Sequence, residues 1–288
     1  VEASIKVART YQALRGKPTK KLMLGFENSY HGSTFLSSSI SGSTYIHAIQ
    51  GRHPECRTLP NTSDIIQLTK MIDDLGSENI CCLIIESCSW QGGLHSQSLE
   101  WWNELREVCR SREIVFIIDD IAFCGAKTGK YFGFHEGLNP DIICTGKALS
   151  GGYSPLSCCL INDQLFQVIK EPRFLHGFSY SFSMSGIMSA LHYLNVIESE
   201  KIYEQYSAVC DTSKKLFDSL YNIESVKAIR NYGLTWCVDI DVQGISEEEM
   251  FKLFVNNGMF IGLWNHPSKR KQILIHTPNI NDESYFNR

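Results

Sequence analysis

The stretch Val115-Phe116-Ile117-Ile118-Asp119-Asp120, followed at a distance by Ile142-Ile143-Cys144-Thr145-Gly146-Lys147-Ala148-Leu149-Ser150-Gly151-Gly152, decides how the rest of the chain is read. Each begins as a short run of β-branched and aromatic residues and breaks off at a polar one, the signature of a strand buried on both faces. Outward from these two, Leu22 to Phe26, Cys82 to Ile85 and Leu156 to Ile161 read as further strands. Between them, Asp64 to Leu75 places Ile65, Leu68, Ile72 and Leu75 on one helical face, and Leu99 to Cys109 does the same with Leu99, Trp102, Leu105 and Cys109. Strands alternating with amphipathic helices predict an α/β domain with a mainly parallel sheet covered on both sides.

Val1 to Gly16 reads as a helix with Ile5, Ala8 and Gln12 on one side, and the chain is expected to begin inside a longer protein. From Ser185 to about Leu220 apolar residues recur at helical spacing, predicting one long connecting helix. A hairpin over Val226 to Asp241, a helix over Ser246 to Asn257 and a strand over Gln272 to Ile275 follow. The expected organisation is therefore a large α/β domain over 1–184 and a connecting helix with a smaller α+β domain over 185–288.

The 288 residues carry 27 Lys plus Arg against 31 Asp plus Glu, a formal charge of −4, with no basic stripe. Nucleic acid and anionic membrane are thus not expected as partners, and no apolar run approaches the ~18 residues of a membrane span. Small molecules are the expected partners. The 11 cysteines are odd in number, form no C-x-x-C pair, and mostly fall in apolar segments (Cys81, Cys82, Cys144, Cys158, Cys159). They read as reduced thiols packed in a core, which suits the cytoplasm. Histidine and cysteine spacings offer no metal site.

Ligands of open α/β sheets gather at the carboxyl ends of the strands, so polar residues directly after apolar runs carry the information. Three stand out: Glu86, Asp119 and Lys147. Singly, a strand-ending carboxylate reads as a helix cap and a lysine beside glycine as a solvated turn. Together they would bring two carboxylates and an amine to one edge. Gly125-Ala126-Lys127-Thr128-Gly129-Lys130 fails as a phosphate-binding P-loop, having three residues between its glycines and Tyr131 after the lysine.

These residues resemble the class III, pyridoxal-phosphate-dependent aminotransferases of fold type I, over nearly the whole chain. Ile118-Asp119-Asp120-Ile121-Ala122 running into Lys127-Thr128-Gly129-Lys130 is similar to the family's D-E-V/I and R-T-G-K strings. Pro140-Asp141-Ile142-Ile143 and Gly146-Lys147-Ala148-Leu149-Ser150-Gly151-Gly152 are similar to its P-D-I segment and Schiff-base lysine. Tyr30-His31-Gly32 resembles Y-H-G, and His176-Gly177-Phe178-Ser179-Tyr180 resembles H-G-x-T-Y. The short strings look most like the diaminopelargonate synthase branch.

The resemblance implies pyridoxal 5'-phosphate as cofactor, amine and carbonyl substrates, and transfer of an amino group by a two-half, ping-pong route. A free lysine has a pKa near ~10.4, so its neutral, nucleophilic form must be favoured by its surroundings. Lys147 would hold the cofactor as a Schiff base and move the proton on the substrate carbon. Asp119 would pair with the pyridine nitrogen. Tyr30 would stack on one ring face and Ile121 on the other, with His31 and Glu86 lining the pocket. Ser179 would reach the cofactor phosphate of a neighbouring subunit, which implies a homodimer with shared sites.

The chain departs from the pattern in places. The family's small-residue phosphate loop has no counterpart, Glu86-Ser87-Cys88-Ser89-Trp90-Gln91 replaces E-P-x-Q-G-E, and Ala122 stands where many members have Gln. Ile273-Leu274-Ile275-His276-Thr277-Pro278 occupies the region where several members carry a carboxylate-clamping Arg, with Arg230 as a possible substitute. A cofactor-dependent aminomutase and a cofactor-binding protein without catalysis are the alternatives.

Overall fold

The structure, a computed structural model, describes residues 1–171, 174–265 and 271–277. Six strands form the larger sheet: β1 (Leu22–Phe26), β2 (Cys56–Leu59), β3 (Ile80–Glu86), β4 (Val115–Asp119), β5 (Ile142–Thr145) and β6 (Cys158–Ile161), in the order β2-β1-β3-β4-β5-β6. All neighbours run parallel except β5 and β6. The five strands read from the sequence are all present. Four residues of β2 were missed, because an alternation so short carries no period.

Alternation along β4 divides the core in two. Val115 and Ile117 face helices α1 (Glu2–Leu14) and α6 (Asp163–Ile169), packing with Ile5, Ala8, Tyr11, Leu165 and Ile169. Phe116 and Ile118 face α4 (Ile65–Asp74) and α5 (Leu99–Ser111), packing with Leu68, Ile72, Trp102 and Leu105. Each such side chain contributes roughly 1.5–3 kcal/mol when fully buried. Asp64 caps α4 by accepting from the N–H groups of Ile66 and Gln67, both at 3.0 Å.

The short helices α2 (Phe35–Ile40) and α3 (Thr44–Gln50) follow β1. Helix α2 lies so close that a Cβ on Gly25 would stand 2.2 Å from the Ile40 carbonyl oxygen. Only glycine allows that approach.

The expected long connecting helix is two helices. α7 (Met184–Ser199) ends at Glu200, and α8 (Ile202–Ser219) begins after Lys201, whose φ of 52° is left-handed and cannot continue a right-handed helix. The apolar spacing runs on across the break because both helices bury a stripe, so periodicity alone could not reveal it. Beyond lie β7 (Val226–Tyr232), β8 (Thr235–Ile240), α9 (Glu247–Asn256), β9 (Gly262–Asn265) and β10 (Lys271–His276). The four strands form an antiparallel sheet in the order β7-β8-β10-β9. Its core centres on Phe217 stacked on Trp236, with ring centroids 4.3 Å apart.

None of the 11 cysteines is paired, and eight are buried. Cys158 is a correction: it is exposed, because β6 is an edge strand whose alternate residues face outward.

Candidate active site

Parallel register sets the site. Glu86 and Asp119 end adjacent strands directly opposite one another, and Asp119 in turn pairs with Cys144 on β5, three residues before Lys147. Strand-ending polar groups thus collect at the carboxyl edge, as the sequence predicted.

Asp119 is buried. Its Oδ2 lies 2.8 Å from Nδ1 of the fully buried His31 ring, and its Oδ1 accepts from the Ile121 N–H at 3.2 Å. With Nδ1–H donating to the carboxylate, His31 Nε2 is left as an acceptor, and this buried atom has no hydrogen-bond partner among the described residues. Orphaned buried polar atoms of this kind are uncommon and suit a site that takes a ligand.

Glu86 is buried at 7% exposure. Its Oε2 accepts from the Tyr30 N–H at 3.1 Å and its Oε1 from the Trp90 N–H at 3.4 Å. Burial, reinforced by the charge of Asp119, pushes its pKa up to about 8, although those two N–H groups and Lys147 favour the anion. Asp120, directly after Asp119, is likewise raised by burial to about 7, against a 2.8 Å bond from the Gly133 N–H that favours its charged form.

Lys147 follows β5 and opens a single 3₁₀ turn, Lys147–Ser150. Its φ is 47°, a left-handed conformation that costs a non-glycine residue about 1–3 kcal/mol. Strain of that kind is retained where it serves to aim a side chain. The ammonium lies 5.5 Å over the Trp90 ring, and it makes no hydrogen bond or ion pair among the described residues.

Tyr30 is half-buried, held through its backbone by Glu86 and through its hydroxyl by Ser33 at 3.0 Å. Ile121 is half-buried beside Gly146. The structure thus brings Tyr30, His31, Glu86, Asp119, Ile121 and Lys147 to one edge. Ser179 stands apart, exposed in the turn before α7. Sequence reasoning passed over Trp90, whose ring lies under the Lys147 ammonium. The indole that replaces a glycine of the family string was the available signal.

A cavity of about 550 Å³ borders Glu86 and is lined by neutral polar groups including Asn61, Ser89, Gln91 and Gln272. No cluster of metal-ligating side chains occurs among the described residues.

The fold, with its carboxylates and lysine at the carboxyl edge of a mainly parallel sheet, is that of the type I pyridoxal-phosphate-dependent transferases. The chain belongs to the class-III aminotransferases, a family whose pattern matches residues 1–277. Members of that family depend on pyridoxal phosphate.

Among its relatives is the putrescine–pyruvate aminotransferase of Pseudomonas aeruginosa, 30% identical over 229 residues that cover 71% of this chain and 49% of the relative. An adenosylmethionine-8-amino-7-oxononanoate aminotransferase from Nitratidesulfovibrio vulgaris is 26% identical over 266 residues, covering 83% of this chain and 49% of the relative. A transaminase from the marine bacterium Virgibacillus superposes with a TM-score of 0.90 at 24% identity, over 99% of this chain and 70% of that one. The chain spans about half the length of these two curated relatives.

The residues fit the family's cofactor. A fixed, buried carboxylate at Asp119 suits a protonated ring nitrogen, His31 offers an unused buried acceptor, and the strained Lys147 presents an amine without a hydrogen-bond partner among the described residues.

Proposed function

We propose that the protein is a pyridoxal-phosphate-dependent aminotransferase, moving an amino group between an amine donor and a keto or aldehyde acceptor. The observation that carries the reading is the in-register pairing of Glu86 with Asp119, beside the 2.8 Å Asp119–His31 bond and on the edge that bears Lys147. Bound pyridoxal phosphate supplies a ring that accepts electron density from the substrate's amine-bearing carbon. Lys147 would hold the cofactor covalently until the substrate's amine displaces it, and the amine so freed would take up and return the proton at the substrate carbon. Asp119, oriented by His31 and the Ile121 N–H, holds the proton on the ring nitrogen. Tyr30 and Ile121 would help hold the cofactor ring, and Glu86 would line the pocket.

Ser179 contributes to the phosphate site of a second copy in a homodimer. An exposed apolar segment supports this: Leu175, Phe178, Tyr180, Phe182, Met184 and Met188 flank Ser179 and are each more than half exposed. Patches of that kind mark interaction surfaces. The unpaired, mostly buried cysteines support a reducing compartment such as the cytoplasm. No helix among the described residues is long and apolar enough to cross a membrane.

An amine-donor screen with the full-length protein, following donor loss and carbonyl product together, tests the reading. Stoichiometric exchange is expected. Rearranged amine without donor consumption would point to an aminomutase. A cofactor spectrum that responds to amines without any conversion would point to a binding protein.

A further inference from the structure

The loop that follows β3 closes on itself. The Ser89 N–H donates to the His95 carbonyl at 3.1 Å, and the Leu94 N–H to the Ser89 carbonyl at 2.9 Å. From inside this closed loop the Trp90 N–H reaches Glu86, and the indole lies under the Lys147 ammonium. A surface loop held only by its own backbone bonds opens at little cost, so its position against the edge depends on what grips it from outside.

The grip comes from the smaller sheet. The loop's tip is Gly93, at φ 86°, and Arg230 on β7 donates Nε to its carbonyl at 2.7 Å. Arg230 gives Nη1 and Nη2 to Asp239 of β8 at 2.9 and 2.6 Å, so it is no substitute carboxylate clamp. Pro278, at the end of the segment where several family members carry that clamp, lies outside the described residues. Gln272 of β10 donates to the same Asp239 carboxylate at 3.1 Å. A Cβ on Gly93 would stand 2.4 Å from Gln272 Nε2 and 3.1 Å from Arg230 Nη2, an approach suited to glycine.

The hairpin from which Arg230 reaches is itself fixed to the neighbouring loop. Beside the β7–β8 turn, the Leu234 N–H donates to the Lys127 carbonyl at 2.9 Å and the Tyr232 hydroxyl to the Gly133 carbonyl at 2.5 Å. Lys127 and Gly133 belong to the chain after β4, and the Gly133 N–H in turn bonds Asp120. The hairpin therefore bridges the two loops that follow Glu86 and Asp119, carboxylates paired in adjacent register.

Resting on the aminotransferase reading, we propose that Arg230 is a positioning residue for the reaction. By holding Gly93 to the β7–β8 hairpin, it fixes the 89–95 loop against the edge that bears Glu86 and Lys147. The planar guanidinium serves Asp239 with one side of its fork and the Gly93 carbonyl with Nε, a division that a lysine ammonium does not reproduce.

Amide hydrogen exchange in the cofactor-free, full-length protein tests the tie. Arg230→Ala should speed exchange across 89–95 by at least about tenfold, with β3 and β4 staying within about twofold. That variant leaves Asp239 buried without its cation. Arg230→Met combined with Asp239→Asn removes both charges and should give the same local loosening without an unpaired charge. Ethylguanidinium added to Arg230→Ala should restore protection across 89–95, whereas ethylammonium should not. In protein loaded with pyridoxal phosphate, both variants should lose most of the visible circular dichroism of the bound cofactor at unchanged occupancy. Unchanged exchange at 89–95 in the double variant, equal rescue by the two cations, or unchanged dichroism despite a loosened loop would overturn the proposal. The amine-donor screen, run in parallel, separates the two readings. Loosening and lost dichroism in a protein that converts no amine would uphold Arg230 as the holder of the loop and refute transamination. Turnover by the unaltered protein, with neither change in the variants, would do the reverse.

Discussion

Glu86→Gln in the cofactor-free protein should make the protein less sensitive to rising pH. The Glu86 carboxyl is buried at 7% exposure beside Asp119, and its pKa is raised to about 8 from an unfolded value near 4.5. Between those two values the folded state binds the proton that the unfolded chain has released, so stability falls as pH rises through the window and levels off above pH 8. Below pH 4.5 the group contributes no penalty. At about 1.4 kcal/mol per pH unit, less the part already ionised near pH 8, the native protein should lose about 2 kcal/mol between pH 6 and pH 8 through this group. Glutamine cannot ionise, so that loss should vanish while other titrations, Asp120 among them, remain in both proteins. Urea unfolding of the cofactor-free protein and its Glu86→Gln variant at pH 6 and pH 8 measures the difference of differences. A value near 2 kcal/mol in favour of the variant at the higher pH is expected. Parallel pH profiles, or a variant that loses ground as pH rises, would refute the argument that burial dominates the two N–H bonds at this carboxyl.

Asp119→Ala should retain measurable pyridoxal phosphate binding but lose turnover by about a hundredfold or more, because it removes charge stabilisation at the ring nitrogen more than anchorage. Absorbance titration and steady-state assay of the same preparation separate the two effects. Ser179→Ala should weaken cofactor binding by about tenfold, with the difference fading as the protein is diluted below its dimer dissociation constant. Titrations at several protein concentrations decide this. Gly25→Ala forces a methyl against the Ile40 carbonyl and should cost about 1–3 kcal/mol in chemical denaturation, through displacement of α2 from β1.

The larger sheet was readable because its strands are buried on both faces and end abruptly: Ile118 to Asp119 and Thr145 through Gly146 to Lys147 mark both the strand and its functional end. Helix α5 declared itself through Trp102, Leu105 and Cys109 at helical spacing, all buried in the structure. The break between α7 and α8 was hidden because Lys201 adopts its left-handed conformation without the glycine that usually signals one. Cys158 misled because an edge strand has the same composition as a central one. Trp90 and His276 meet across a sequence separation of 186 residues, where neither periodicity nor spacing carries information. Their contact depends on how β10 of the smaller sheet lies against the loop after β3. Arg230 looked available in the sequence; its pairing with Asp239 arises from antiparallel register between β7 and β8.

The covalent role of Lys147 is tested most directly by borohydride reduction of the cofactor-loaded, full-length protein followed by peptide mass mapping. A single pyridoxyl label on Lys147 is expected, and the label should be absent from Lys147→Ala. A label carried by another lysine, Lys127 being the nearest in kind, or retained in full by Lys147→Ala, would contradict the account of this edge as an aminotransferase site built on Lys147.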